Sequence, residues 1–217
     1  MLKFYYAPWS RASGVLWLLE ELGVSYETHH VDIRAEGGVP EEYRKIQPNK
    51  KVPAIEHDGT VITERAAITT YLADAFPEAG LAPPIGDPLR APYLTTCVYC
   101  DSVIDPCVAA RAHGLTYQSN DYSFGLFDDM VAYVERRLTE NDFAAGDRFT
   151  AADTQLASAI GYTMNVLKVL PARPAFGAYL ERIAGRPTYR RYQAKDQEAA
   201  MRIPHFQKMF PDGPPRL

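Results

Sequence analysis

In the first third of the chain, short apolar runs alternate with stretches whose apolar residues recur at helical spacing. Runs of four to eight residues are typical of strands, and apolar residues at i, i+3, i+4 and i+7 are typical of a helix packed on one face. Gly23 ends the first such helix, because glycine readily takes the left-handed conformation found after helices. The pattern predicts a strand, a helix, a second strand and a short helix at Leu2–Tyr6, Val15–Leu22, Tyr26–Ile33 and Pro40–Gln47.

A hairpin and a further helix follow in Asn49–Tyr71. Val52-Pro53 heads a strand, Asp58-Gly59 supplies the left-handed positions of a tight turn, and Val61-Ile62 continue as the partner strand. Helical spacing then resumes at Ile68. This order of strands and helices is the thioredoxin-like one. The predicted fold class of the first part is therefore α/β, with a mixed four-stranded sheet covered by helices.

The second part of the chain is predicted to be all helical. Pro77–Pro88 contains four prolines and two glycines without periodicity, which is typical of a linker. Helical spacing continues after it, beginning with one long helix at Leu89–Ala112 that bends near Pro106, and strand patterns disappear. The predicted parts are a thioredoxin-like domain at 1–78, a linker at 79–88 and an all-helical bundle domain at 89–217. The last part of the bundle domain, Met201–Leu217, is a proline-punctuated tail.

Composition narrows the class of function. The chain is 47% hydrophobic and 23% charged, as ordinary globular proteins are, and its net charge of −4 argues against a nucleic-acid partner. No apolar run approaches the roughly 18 residues that span a bilayer, and the residues after Met1 do not resemble a signal peptide. Three cysteines indicate free thiols in a reducing compartment. We expect a cytoplasmic protein without a membrane partner.

Several chemical signatures are weak or missing. Cys97-x-x-Cys100 lies inside the long predicted helix, where a zinc site would need two more ligands at suitable spacing, so packing on one helix face is favoured. No glycine-rich phosphate loop and no Ser-His-Asp spacing is present. Thr150 and Asp153 have the spacing of a helix capping box, a folding element rather than a site. The sequence therefore predicts no metal site.

Val52-Pro53 and Glu64-Arg65 are candidates for recognition of a peptide. A cis Pro53 would turn the backbone of Val52 outward, where a peptide ligand pairs with it as an added strand, whereas a trans proline would only begin an edge strand. Glu64-Arg65 stands where a strand ends and a helix begins. The unpaired amides at such a helix start favour an anion. Arg65 would bind a carboxylate, and Glu64 would bind an ammonium. The alternative is that both residues belong to a solvated first turn of the helix.

Ser10 is the third candidate. As the N-cap of the first helix it would contribute about 1 kcal/mol to stability. As a site residue, its hydroxyl would face the same cleft as Val52 and Glu64, since strand-to-helix loops and the hairpin lie at one edge of such a sheet. A hydroxyl donor at a helix N-terminus favours a thiolate over a thiol, and lowering a thiol pKa near 8.5 by about two units takes about 2.7 kcal/mol.

The chain resembles the glutathione S-transferases over essentially its whole length, and most closely the bacterial, theta-like, serine-type members. The resemblance rests on four motifs in order, with the proline-rich linker between the third and fourth: S-R-A-S-G-V-L-W-L-L-E-E-L-G at Ser10–Gly23, N-K-K-V-P-A-I at Asn49–Ile55, I-T-E-R-A-A-I-T-T-Y-L-A-D at Ile62–Asp74 and F-T-A-A-D at Phe149–Asp153. It implies a thioredoxin-like domain that binds glutathione, an all-helical domain that shapes an apolar second site, and a homodimer.

The resemblance also implies roles for residues. Ser10 matches the hydroxyl that stabilises the glutathione thiolate. Val52 matches the backbone partner of the tripeptide's cysteine and is presented by cis-Pro53. Glu64 and position 65 match the pair that holds the γ-glutamyl end. The expected glutathione site also contains Lys50, as a partner of the glycyl carboxylate, and Trp9. For the second substrate we expect a pocket on the long helix at Tyr99, Cys100, Val103 and Ile104.

Three positions differ from the family pattern. Arg65 replaces a usual Ser or Thr, Gly14 a frequent Arg, and Lys50 a usual Gly. The expected function is a glutathione transferase that conjugates the thiolate to an apolar electrophile, with glutathione as co-substrate, and detoxification as the broader role. Two alternatives remain: a non-catalytic binding or scaffold protein of the same fold, and a glutathione-dependent disulfide or peroxide reductase.

Overall fold

A computed structural model describes residues 1–213, in which four strands form one mixed sheet in the order β2-β1-β3-β4. β1 pairs in parallel with β2 and antiparallel with β3, and β3 pairs antiparallel with β4. The predicted thioredoxin-like sheet is therefore confirmed. The strands are β1 Leu2–Tyr6, β2 Glu27–His30, β3 Ala54–His57 and β4 Thr60–Thr63.

Helices occupy most of the remaining chain. The α-helices are α1 Ser13–Leu22, α2 Arg65–Ala75, α3 Arg90–Tyr99, α4 Asp105–Ala112, α5 Phe127–Glu140, α6 Ala151–Gly161, α7 Pro174–Ala184, α8 Pro187–Ala200 and α9 Pro204–Met209. Short 3₁₀ turns lie at Glu41–Lys45 and Pro77–Ala79, and wider π-helical turns at Cys100–Ile104 and Tyr162–Val166.

The local chemistry of the first elements explains where they begin and end. Leu2, Phe4 and Tyr6 are buried along β1, and the two residues between them are half-buried, as a central strand requires. α1 ends at Gly23, whose φ is 67°, so the predicted end of this helix is confirmed. The hairpin turn has positive φ at both Asp58 (49°) and Gly59 (85°), as a tight two-residue turn needs.

Two compact units result from the packing. One contains residues 1–68 together with the chain from Pro187 onward, and the other contains Thr69–Arg186. The boundary predicted from composition, 1–78 against 89–217, follows the change from strands to helices, whereas compactness follows contacts. The two divisions differ because α8 packs mainly on α1 of the first unit.

α8 was not predicted, and it packs on α1 as part of the first unit. Its Tyr192, Asp196 and Ala200 are buried at i, i+4 and i+8, while the rest of the helix is largely polar. Tyr192 stacks on the buried ring of Trp17 in α1, with the centroids 5.4 Å apart. Lys195 Nζ binds Glu20 Oε1 at 2.6 Å.

The predicted proline-punctuated tail, Met201–Leu217, contains a short helix. Pro204 is the first residue of α9, where its missing N–H costs no hydrogen bond. Phe206 of this helix is buried. The last residues of the predicted tail, 214–217, lie outside the described residues.

The second unit, Thr69–Arg186, contains helices joined by loops and has no strand, in agreement with the predicted all-helical domain. α6 is its central helix and is buried on nearly every side. The predicted capping box is present: Asp153 Oδ2 accepts from the Thr150 N–H at 2.8 Å, and Asp153 also accepts from the Tyr179 hydroxyl at 2.9 Å. The long helix predicted at Leu89–Ala112 is present as α3, a π turn and α4. The π turn lies just before Pro106, whose nitrogen has no hydrogen to donate.

Candidate active site

The register of the sheet brings three segments to one edge. Tyr5 lies opposite Ala54, and Ala54 lies opposite Thr63, so the carboxyl ends of β1 and β4 and the amino end of β3 share that edge. The chain segments that continue from these three ends carry the predicted site residues Ser10, Val52-Pro53 and Glu64-Arg65.

Ser10 lies in the loop between β1 and α1 and is half-buried. The predicted N-cap role is wrong, because α1 begins at Ser13 and its N-cap is Ala12, without a side-chain cap. Instead, the Ser10 hydroxyl donates to the Ala7 carbonyl at 2.7 Å and accepts from the Ala12 N–H at 3.0 Å. These two bonds hold the Oγ atom within a tight turn. The hydroxyl proton can rotate to another acceptor while the oxygen keeps the hydrogen bond from the Ala12 N–H.

Two tyrosines at the end of β1 also place hydroxyls near this loop, and both have partners elsewhere. The Tyr6 hydroxyl donates to the Asp196 carboxylate, and burial and that carboxylate raise the Tyr6 pKa far above its ordinary value. The Tyr5 hydroxyl lies 3.4 Å from Glu56 Oε2, and burial raises its pKa as well. Ser10 is therefore the better donor for an anionic ligand at this edge.

The Val52-Pro53 peptide bond is cis. The preceding residue, Lys51, has both backbone groups engaged: its N–H donates to Gln47 Oε1 at 2.9 Å, and its C=O accepts from the Tyr43 hydroxyl at 3.0 Å. Neither the N–H nor the C=O of Val52 makes a hydrogen bond to any group in residues 1–213. The backbone of Lys51 is thus engaged within the protein, whereas the N–H and C=O of Val52 are available for further hydrogen bonds.

Gln47 lies beside two of the predicted site segments, a position that the sequence did not reveal. It is only 3% exposed, and its amide links two predicted segments: Oε1 accepts from the Lys51 N–H, and Nε2 lies 3.3 Å from Glu64 Oε1. Glu64 itself is exposed, so its carboxylate is oriented by Gln47 and still open to a ligand cation. The signal in the sequence was Gln47-Pro48, which marked only the end of a short helix.

Backbone strain is concentrated at the same edge. Five non-glycine residues of the described chain have positive φ, and three of them are predicted site residues: Trp9 (51°), Lys50 (54°) and Glu64 (67°). A non-glycine residue in this region costs about 1–3 kcal/mol and persists only where its surroundings hold it. Strain of this kind occurs preferentially at ligand sites, which favours a functional role for this edge.

Trp9 is held from two directions. Its backbone N–H lies 3.2 Å from Asp196 Oδ1 in α8. Its ring meets Phe206 and Phe210 edge to face, with centroids 4.7 Å and 5.4 Å apart. Asp196, Phe206 and Phe210 thus form a C-terminal wall against the loop that carries Ser10. The sequence did not indicate this contact.

Comparison with known proteins accounts for this geometry. The family model of the glutathione S-transferase N-terminal domain matches residues 2–74, and that of the C-terminal domain matches residues 117–187. The chain belongs to the glutathione S-transferase family. The first match contains all the segments of the sheet edge described above.

Relatives of this family cover nearly the whole chain. The glutathione S-transferase GstA of Escherichia coli O157:H7 is 26% identical over 191 residues, which is 86% of this chain and 94% of that protein. A crystal structure of a glutathione transferase from Methylococcus capsulatus is 28% identical, with a TM-score of 0.71 over 90% of this chain and 98% of that one. A sphingomonad glutathione S-transferase complexed with glutathione is 27% identical, with a TM-score of 0.71 over 89% and 98%.

Arg65 and Lys50, two residues that differ from the family pattern, have particular surroundings. Arg65 is the first residue of α2 and is 5% exposed, so it does not lie in a solvated first turn. Lys50 Nζ lies 2.7 Å from Glu41 Oε1, and Arg44 binds the other oxygen of that carboxylate at 2.6 Å. The ammonium of Lys50 therefore already has a carboxylate partner.

The four residues predicted for the second substrate lie at the junction of α3 and the π turn. Cys100 and Ile104 are buried, at 0% and 1% exposure, whereas Tyr99 and Val103 are half-buried. Tyr99 contacts Tyr133 with the ring centroids 4.7 Å apart, and burial raises its pKa to about 12. Only Tyr99 and Val103 of these four offer appreciable surface to a ligand.

No group of three or more metal-ligating side chains lies together in residues 1–213. The three cysteines are buried and unbridged, and burial raises the pKa of Cys107. No helix in the described part of the chain is long and apolar enough to span a bilayer.

Proposed function

We propose that this protein is a glutathione transferase of the serine-type, theta-like group. The sulfur of glutathione attacks an electrophilic carbon of an apolar co-substrate, a carbon–sulfur bond forms, and the leaving group departs with its electron pair. The observation that supports this most strongly is the shared sheet edge, from which the chain segments that carry Ser10, Val52 before cis-Pro53, and Glu64 continue.

Each part of the tripeptide has a partner of suitable chemistry in the proposal. The backbone of Val52 pairs with the cysteinyl residue, Glu64 accepts from the γ-glutamyl ammonium, and the Ser10 hydroxyl donates to the thiolate. Trp9, Pro53, Arg65 and Lys50 complete the proposed glutathione site, with Lys50 placed toward the glycyl carboxylate. Tyr99 and Val103 contact the co-substrate, and the buried Cys100 and Ile104 support them.

The proposal extends to the assembly and the compartment. We propose a cytoplasmic homodimer that acts in detoxification. The three unbridged cysteines suit a reducing compartment. Leu94 and Val98, one helical turn apart on α3, are exposed apolar residues that suit an interface between copies.

Titration calorimetry with glutathione tests the binding half of the proposal. The wild type is expected to bind, and Glu64→Gln to bind about 10–100-fold more weakly, because a hydrogen bond to a charged group contributes about 1.5–3 kcal/mol. Glu42→Gln, which alters an exposed acid of the same unit, is the control and should bind as the wild type does. Absence of wild-type binding at millimolar glutathione would refute the proposal and favour a binding or scaffold role.

Turnover distinguishes the two catalytic possibilities. Conjugation of an activated aryl halide at a higher rate than reduction of a mixed disulfide is the expected result. The reverse order would favour a glutathione-dependent reductase.

A further inference from the structure

The carboxylate of Asp196 joins three segments that surround Ser10. Asp196 lies on α8 and is 4% exposed. It accepts from the Tyr6 hydroxyl at the end of β1, from the Trp9 N–H at 3.2 Å and from the Ser13 hydroxyl at 2.7 Å. Tyr6, Trp9 and Ser13 lie on both sides of Ser10 in the chain, so one buried group holds the loop at its beginning and its end.

We propose that Asp196 is a positioning residue of the active site, which fixes the Trp9–Ser13 loop so that the Ser10 hydroxyl meets the glutathione thiolate. The inference rests on the proposed function, since it concerns the same site. Asp196 does not touch the substrate in this proposal and acts only through the loop.

The loop needs such an anchor because of its backbone. Trp9 has a φ of 51°, a conformation that is unfavourable for a non-glycine residue and persists only where its surroundings hold it. The hydrogen bond from the Trp9 N–H to Asp196 stabilises this conformation. The Ser13 hydroxyl attaches the first turn of α1 to the same carboxylate. Without these bonds, the loop can relax and move the Ser10 hydroxyl.

A small displacement of Ser10 has a measurable chemical consequence. A hydrogen bond weakens steeply as its distance and angle depart from the optimum, and misplacement by about 1 Å can reduce a rate about 100-fold. The thiol pKa of bound glutathione reports the Ser10 bond directly, because a lost donor raises that pKa.

Positioning and direct charge predict opposite signs for this pKa. A buried anion near the thiolate opposes ionisation, so removal of Asp196 as a mere charge would lower the thiol pKa. Removal of Asp196 as the anchor of the loop would raise it. Burial raises the pKa of Asp196 itself, while the bonds from Tyr6, Ser13 and Trp9 oppose that shift.

The experiment measures the thiol pKa of bound glutathione from the ultraviolet absorbance of the thiolate as a function of pH. In Asp196→Ala the pKa is expected to rise by about one unit toward the value of a free thiol near 8.5. Asp196→Asn keeps an acceptor for the Trp9 N–H and should remain within a few tenths of the wild type. Ser13→Ala removes a single donor and should give an intermediate rise, which keeps the test available if Asp196→Ala does not fold.

Matched controls lie on the same helix. Thr188→Ala and Lys195→Met remove the bonds of α8 to Glu21 and Glu20 of α1, so they weaken the same packing without touching the loop. They should lower the unfolding temperature and leave the thiol pKa unchanged. An unchanged or lowered pKa in Asp196→Ala and Ser13→Ala, with glutathione bound, would overturn the proposal. A wild type that does not bind glutathione would instead refute the proposed function.

Discussion

At the scale of single residues, the proposed function requires the Ser10 hydroxyl to change its hydrogen-bond partner when glutathione binds. Its proton points to the Ala7 carbonyl at 2.7 Å, and its oxygen accepts from the Ala12 N–H at 3.0 Å. To donate to a thiolate, the O–H must rotate away from Ala7, while the bond from Ala12 keeps the oxygen in place. The exchange replaces a neutral acceptor with an ionised one, which forms the stronger hydrogen bond.

Lys50 is shared between a partner in the protein and a proposed partner in the ligand. Its ammonium is bound to Glu41, which is exposed and also binds Arg44. Glu41→Gln should free Lys50 for the glycyl carboxylate and strengthen glutathione binding by up to about fivefold, the range of an exposed ion pair. Calorimetry measures this, and the double variant Glu41→Gln with Lys50→Met should lose the gain. A gain that survives in the double variant would exclude Lys50 as the cause.

Asp153 gives stability a pH dependence of predictable sign. Complete burial raises its pKa from 3.8 to about 6, although four hydrogen bonds to the carboxylate oppose the shift. Between these values the folded protein binds a proton that the unfolded chain has released. The stability from this group is therefore complete below about pH 4 and is lost as the pH rises through 6.

Denaturant titrations of the wild type and Asp153→Asn should show this loss. The unfolding free energy of the wild type relative to the variant is expected to fall by about 2–3 kcal/mol between pH 4 and 7, since each pKa unit corresponds to about 1.4 kcal/mol. A difference that is constant or rises across this range would show that the carboxylate is ionised when the protein is folded.

Residues differ in how far the sequence reveals them. Ser10, Val52 and Glu64 follow from motifs that lie within a few residues of a strand end. Gln47 and Asp196 do not, because Gln47 meets Glu64 across 17 residues of chain, and Asp196 meets Trp9 and Ser13 across more than 180. Local spacing carries no signal for such contacts.

At the scale of elements, α9 is expected to control the environment of Trp9. Phe206 is 4% exposed, meets the ring of Trp9 edge to face and lies under the guanidinium of Arg34 at 4.5 Å. Phe206→Ala removes about 3 kcal/mol or more of packing, the usual cost for a buried phenylalanine, so α9 should detach from the loop.

Tryptophan fluorescence measures the change, since Trp9 then gains solvent exposure while Trp17 stays buried in α1. The emission of Phe206→Ala should shift to longer wavelength. Met209→Ala on the same helix, whose side chain is 55% exposed, is the control and should emit as the wild type does. An unshifted spectrum in Phe206→Ala would mean that α9 does not hold Trp9.

Elements with an apolar stripe were predicted well, and those without one were missed. β1 has the predicted bounds because burial on one face dictates them, and α1 ends before Gly23 because that glycine takes the left-handed conformation. α8 escaped because its mean composition is polar and its three buried positions include Asp196. α9 was not separately predicted, because the prolines of this stretch were interpreted as punctuation of a tail, although Pro204 occupies the first helical position, where proline is favoured.

At the scale of the whole molecule, the composition of the chain and its packing divide it differently. The change from strands to helices after residue 78 is visible in the sequence. The return of residues from Pro187 onward to α1 is not, because it depends on long-range packing around Trp17 and Glu20. The glutathione site proposed here lies entirely within this first unit, including its C-terminal wall.

The proposed homodimer makes a prediction of its own. Leu94 is 37% exposed and Val98 is 54% exposed on one face of α3, where charges would oppose association of two apolar faces. Sedimentation should show a dimer for the wild type and a monomer for Leu94→Glu with Val98→Glu. Ile85→Glu, at a position 93% exposed, is the control and should remain dimeric. A double variant that stays dimeric would place the interface elsewhere.

The role of Ser10 is tested most directly by the thiol pKa of glutathione bound to the wild type and to Ser10→Ala. In the wild type the thiol is expected to titrate about two units below the value of a free thiol near 8.5. In Ser10→Ala the pKa should rise by at least one unit, and the conjugation rate near neutral pH should fall about 10–100-fold, the loss of one charge-assisted hydrogen bond. An unchanged pKa and rate in Ser10→Ala would contradict the assignment of Ser10 as the group that steadies the thiolate.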